Sequence, residues 1–154
     1  MRLATAEATR AFGRRLAVWL RGGDLVVLSG ELGAGKTTLA QGLGEGLGVR
    51  GPVTSPTFVI ARTHPPLAAG PALVHVDAYR LGGLEQLDDL DLDASLEDSV
   101  TVVEWGEGLA ERLAADRLEI RLDRARGAQA GQARLARLRP VGPRWAERPW
   151  AERP

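Results

Sequence analysis

Apolar residues at Phe12, Leu16, Trp19 and Leu20 fall at i, i+4, i+7 and i+8, one face of a helix, and predict an amphipathic segment over residues 5–21. Thr5 is placed to cap its start and Gly22-Gly23 to stop it. The pattern then changes period. Leu25-Val26-Val27-Leu28 is a continuous apolar run, as a strand covered on both faces requires. Leu73–Val76 and Val100–Val103 repeat that pattern, and each runs directly into an acid, Asp77 and Glu104. Between these runs the sequence predicts a helix from Lys36 to about Leu47 closed by Gly48, and a turn at Gly51-Pro52. A strand over Thr57–Arg62 and a loop from His64 to Pro71 follow. Further helices are expected over Leu84–Leu90 and around Gly108–Ala115. Leu118–Leu122 and Ala133–Leu138 alternate, predicting a late antiparallel pair joined across Gly127–Gln132. Strands alternating with helices make this an α/β protein, with helical layers on a mostly parallel central sheet and an antiparallel C-terminal extension.

Length and composition narrow the class. A chain of 154 residues with 44% hydrophobic and 26% charged residues has the size and balance of one globular domain, expected over residues 1–139. Residues 140–154 hold three of the chain's features at once: Pro140 and Pro143, several Arg, and the pentapeptide Trp145–Pro149 repeated as Trp150–Pro154. They read as a disordered Pro/Trp/Arg tail. No cysteine is present, which removes disulfides and thiolate metal sites. No apolar run approaches the ~20 residues of a membrane span, and Arg10, Arg14 and Arg15 interrupt any secretory signal. A cytoplasmic protein that does not engage membrane is expected.

The net charge is zero but unevenly spread, with ten acids and no Lys or Arg over Gly82–Glu111 and ten Arg against four acids over Arg117–Pro154. Solvated surface accounts for that asymmetry before a docking face does. One residue stands apart. Of twenty basic residues, nineteen are Arg, and the only lysine is Lys36.

Lys36 completes Gly30-Glu31-Leu32-Gly33-Ala34-Gly35-Lys36-Thr37, a full G-x-x-x-x-G-K-[ST] phosphate loop between a buried-type strand and a helix. The glycines let the backbone curl so that N–H groups face an anion, and the helix start adds its positive dipole end. The Lys36 ammonium suits the β- and γ-phosphates, and the Thr37 hydroxyl suits Mg²⁺. The expected fold is therefore a three-layer P-loop NTPase. A Mg²⁺–nucleotide also needs a carboxylate at a neighbouring strand end. Asp77 and Glu104 both qualify, and the sequence leaves open which is nearer the metal. The hydroxyls of Thr54-Ser55-Pro56-Thr57 sit where a switch segment would. His64 and His75 read as structural, since no metal-ligand spacing joins them.

Taken together, the phosphate loop with Thr38, then Thr54-Ser55-Pro56-Thr57-Phe58, His75-Val76-Asp77-Ala78-Tyr79-Arg80-Leu81 and Val103-Glu104-Trp105 resemble the TsaE family over roughly residues 3–138. The resemblance implies an ATPase in formation of N6-threonylcarbamoyladenosine at position 37 of tRNAs. Such an ATPase binds and cycles a complex of the proteins TsaD and TsaB and meets tRNA only through it, with no role at DNA. It further implies that Leu32, Gly33, Ala34, Gly35, Lys36, Thr37 and Thr38 hold ATP, and that Thr37 and Glu104 ligate Mg²⁺. Lys36, Asp77, Thr57 and Glu104 would serve catalysis, with Tyr79 and Trp105 near the site and the partner surface. The chain departs from the family in carrying Ala78 within that motif and Pro65-Pro66 after the Thr57 segment. Arg134 has no assignment.

A small-molecule kinase is the enzymatic alternative, but it needs an Arg-bearing lid, and Gly82–Glu111 has no basic residue. A guanine-reading Asn-Lys-x-Asp is impossible in a chain with no Asn and one committed Lys.

Overall fold

The computed structural model describes residues 1–54, 61–80, 97–105, 108, 112, 114–127 and 131–146. Its strands are β1 (Arg2–Leu3), β2 (Leu25–Ser29), β3 (Ala61–His64), β4 (Ala72–Asp77), β5 (Ser99–Glu104), β6 (Arg117–Arg124) and β7 (Arg134–Val141). They form one sheet in the order β1-β7-β6-β2-β5-β4-β3. The four central strands are mutually parallel: β2 pairs with both β5 and β6, and β5 pairs with β4. Antiparallel pairings lie outside them, β6 with β7, β7 with β1, and β4 with β3. The expected α/β architecture is present, including the antiparallel C-terminal pair. Every residue of β2 and β5 is buried, as the unbroken apolar runs require of strands covered on both faces.

Helix α1 (Ala6–Ala17) starts where Thr5 caps it, its hydroxyl accepting from Ala8 N–H at 3.0 Å. It ends short of the expected residue 21, so Phe12, Leu16 and Leu20 are buried while Trp19 is 43% exposed. Helix α2 (Lys36–Leu47) ends on Gly48 in the left-handed region at φ 66°. The two helices lie unusually close because glycines face them across the contact. A Cβ at Gly13 would sit 2.6 Å from the Leu39 carbonyl oxygen, and one at Gly42 would collide with the Arg10 carbonyl. Arg10 and Arg14 fasten the same seam, Arg10 to Gln41 at 2.6 Å and Arg14 to Glu45 at 2.8 Å.

Two expectations change, and others fall outside the described residues. The strand placed at Thr57–Arg62 is described over Ala61–His64, so His64 belongs to β3 and not to a loop; residues 55–60 lie outside the described residues. The helix expected over Leu84–Leu90 and half of that around Gly108–Ala115 also lie outside them. The ordered chain continues beyond residue 139: β7 runs to Val141, and a short helix over Pro143–Ala146 buries Trp145 completely. Arg144 anchors it, bonding Asp24 Oδ1 at 2.6 Å and the Gly22 carbonyl at 2.7 Å. The first copy of the repeated pentapeptide thus begins in the core. No helix among the described residues is long and apolar enough to cross a membrane.

Two measurements probe this packing. Gly42→Ala forces apart the backbones of α1 and α2 and is expected to cost about 1–3 kcal/mol in chemical denaturation; a change within experimental error would contradict the close contact. His64 is held below its ordinary pKa by burial, against a partial rescue by its bond to the Arg50 carbonyl. The folded protein therefore binds that proton less readily than the unfolded chain, and stability falls as pH drops through the unfolded value of about 6.5. Between pH 7.5 and 5 the parent should lose stability more steeply than His64→Gln, and equal slopes would refute the assignment.

Candidate phosphate-binding site

Residues 30–35 connect the carboxyl end of β2 to the amino end of α2, with Gly30, Gly33 and Gly35 at φ 138°, 74° and 101°. Only glycine takes these angles without strain. Two arginines from the antiparallel pair grip the carbonyls of this loop. Arg134 bonds the carbonyls of Ala34 at 3.0 Å and Gly33 at 3.2 Å, and Arg124 bonds that of Leu32 at 3.4 Å. A trans peptide points its N–H opposite to its carbonyl. Turning the Leu32 and Ala34 carbonyls outward therefore turns the Gly33 and Gly35 N–H groups the other way, while Ala34 N–H closes a turn on the Glu31 carbonyl. The loop's arginine clamps were not found from sequence, because each pairs residues about a hundred positions apart.

Lys36 is only 4% exposed. Its ammonium donates to the carbonyls of Gly30 at 2.7 Å and Glu31 at 3.0 Å and lies 3.8 Å from the centre of the Trp105 ring. Burial lowers its pKa, and the charges of Glu104 and Asp77 oppose that shift. Trp105 holds this position in the left-handed region at φ 61°, its N–H donating to the Leu28 carbonyl at 2.9 Å. Its ring meets that of Tyr79 at 5.1 Å between centroids.

The two strand-terminal acids are register partners on adjacent parallel strands, β4 and β5. Strand order sets them at different distances from the loop. Glu104 is on β5, next to the strand that carries the loop, and both of its oxygens lie within reach of the Thr37 hydroxyl, at 3.2 and 3.3 Å. Asp77 is one strand further out, and its Oδ1 accepts Tyr79 N–H at 3.1 Å. Both acids border one open cavity of about 780 Å³, which Lys36, Thr37, Thr38 and Arg134 also line. Leu32, Gly33 and Gly35 reach it from the loop, and Ala6 and Thr9 from α1. Leu32 stands 84% exposed at its rim. Ala34 is buried behind the loop, and Thr57 lies outside the described residues.

The histidine two residues before Asp77 is a residue that the sequence reading set aside. Alternation along β4 puts His75 on the same sheet face as Asp77. It is wholly buried, and its Nε2 lies 2.8 Å from Glu104 Oε1. A mid-strand histidine in line with a strand-ending acid was the available signal.

A glycine-curled loop at the end of a central parallel strand, opening a helix and facing a carboxylate on the next strand, defines a P-loop nucleotide-binding protein. The family model described as threonylcarbamoyl adenosine biosynthesis protein TsaE matches residues 3–133. The chain belongs to the TsaE family. It is 68% identical over 138 residues to the tRNA threonylcarbamoyladenosine biosynthesis protein TsaE of Streptomyces coelicolor, covering 89% of this chain and 93% of that one. The protein of the same name from Bacillus subtilis is 38% identical over 125 residues, with 80% and 77% covered. Among solved structures, Bacillus subtilis YdiB superposes with a TM-score of 0.72 at 33% identity, over 94% of this chain and 86% of that one.

Proposed function

We propose that this protein is an ATPase that supports formation of N6-threonylcarbamoyladenosine at position 37 of tRNAs by binding and cycling a TsaD–TsaB complex. The observation that carries the ATPase reading is the contact between the Thr37 hydroxyl and the Glu104 carboxylate beside the buried Lys36 ammonium. A hydroxyl and a carboxylate from neighbouring elements are the donor set a P-loop Mg²⁺ takes, since that ion keeps several waters and needs few protein ligands. Consistent with this, no cluster of three or more His, Asp or Glu forms a metal cage among the described residues.

In this reading Thr37 and Glu104 hold Mg²⁺, which neutralises phosphate charge when bound. The Gly33 and Gly35 N–H groups receive phosphate oxygens. Lys36 exchanges its bonds to the Gly30 and Glu31 carbonyls for phosphate, whose negative charge offsets the desolvation that now lowers its pKa. Asp77, at the far side of the same cavity, orients the attacking water together with Thr57. Exposed Leu32 and Tyr79 at the rim (84% and 73%) give a partner a surface that senses what the cavity holds. The relatives' names supply the tRNA modification, and the cytoplasm is where such a protein would act.

Lys36→Ala is expected to lower ATP turnover by about a hundredfold, measured as phosphate release; turnover equal to the parent's would refute the catalytic reading. The parent should co-purify with TsaD–TsaB when ATP is present and lose that association when it is removed. An absence of binding under both conditions would overturn the partner assignment while leaving the ATPase standing.

A further inference from the structure

We propose that His75 is a positioning residue that holds the Glu104 carboxylate in the orientation from which it binds Mg²⁺ beside Thr37. The proposal rests on the reading of Thr37 and Glu104 as the metal's protein ligands. His75 lies in the middle of β4 on the sheet face that also carries Leu73, and its neighbour across the strand pair is Val102. An aliphatic side chain would pack at such a position without leaving polar atoms to satisfy. The imidazole instead buries two nitrogens, one of which, Nδ1, has no hydrogen-bond partner among the described residues. Its other nitrogen has one bond, to Glu104 Oε1 at 2.8 Å, between side chains that are 0% and 4% exposed. That bond settles the tautomer. A buried N–H without an acceptor is costlier than a bare ring nitrogen without a donor, so the proton sits on Nε2 and is donated to Glu104.

The value of that donation follows from the rest of the carboxylate's surroundings. The Thr37 hydroxyl stands almost equally far from both oxygens, at 3.2 and 3.3 Å, so its single proton does not choose between them. Among the hydrogen bonds of the described residues, only that from His75 distinguishes them. By fixing Oε1 from behind, it leaves Oε2 and the remaining lone pairs directed at Thr37 and the cavity. The Thr37 oxygen can then turn to a cation without the carboxylate swinging away. Carboxylates that ligate metals are commonly held by such outer hydrogen bonds, whose loss costs about 10- to 100-fold in metal affinity.

The test is calorimetric titration of ATP into the protein at a series of fixed Mg²⁺ concentrations and in EDTA. His75→Leu removes the donor, and His75→Ala removes it without added bulk should leucine not be accommodated. His75→Gln returns an amide N–H at similar reach. The leucine and alanine variants are expected to need about tenfold more Mg²⁺ for the half-maximal gain in ATP affinity. Their affinity in EDTA should stay within about twofold of the parent's, and glutamine should recover most of the Mg²⁺ response. In a Glu104→Gln background, His75→Leu should add no further loss. A parent-like Mg²⁺ response in His75→Leu would overturn the proposal. So would an equal weakening of ATP binding with and without Mg²⁺, which is the mark of a packing role, or a glutamine variant no better than leucine. If Glu104→Gln itself responds to Mg²⁺ as the parent does, the metal reading fails, and the His75 proposal falls with it.

Discussion

Parallel register among β2, β5 and β4 is the constraint from which the site follows. Leu28 of β2 is paired with Glu104, and Glu104 is paired with Asp77. The strand that opens into the phosphate loop and the strands that supply the two acids therefore end at one level. Side chains alternate along a strand, so a slip of one residue in β5 would carry Glu104 to the opposite face, away from Thr37 and His75. The buried faces of these strands make that slip prohibitive: Val26, Leu28, Val100 and Val102 would exchange places with residues whose neighbours are on the other side of the sheet. Core packing thus sets the geometry of the charged groups.

Three charged groups and one imidazole form a compact, buried set. Lys36, Glu104, Asp77 and His75 are all buried, and each is held by groups that suit it. Ammonium meets carbonyl oxygens and an aromatic face, carboxylate meets hydroxyl and imidazole, and Asp77 accepts a backbone N–H. Desolvation would be severe for any of these charges left alone. The direction of the Lys36 shift says that its partners do not fully offset that burial. The resting loop is therefore short of negative charge, which is the condition in which an anion binds to advantage.

Legibility in the sequence tracked the range of the interactions. The phosphate loop, the capping Thr5, the closing Gly48 and the buried strands are decided within a few residues, and each was readable. The acids at Asp77 and Glu104 were also readable, but their order of approach to Thr37 was not, because it depends on β5 lying between β2 and β4. His75 looked structural for want of metal-ligand spacing, whereas its partner is a carboxylate 29 positions away. Trp145 failed for a different reason. Its repeated, Pro-flanked surroundings have the composition of a tail, whereas the hold of Arg144 on Asp24, 120 positions distant, and packing in the core cluster are long-range. Arg134 and Arg124 likewise act on loop carbonyls that no local pattern connects to them.

The glycine seam between α1 and α2 has a bearing on the cavity. Ala6 and Thr9 line the cavity beside the phosphate loop, Thr9 within reach of Gly35, and they belong to the helix that Gly13, Gly42 and Gly46 draw against α2. Where backbone meets backbone there are few side chains to change rotamer, so the place of this edge relative to the loop is not easily altered by repacking. This edge of the cavity is therefore its rigid border, set by the helix pair and not by the side chains that line it.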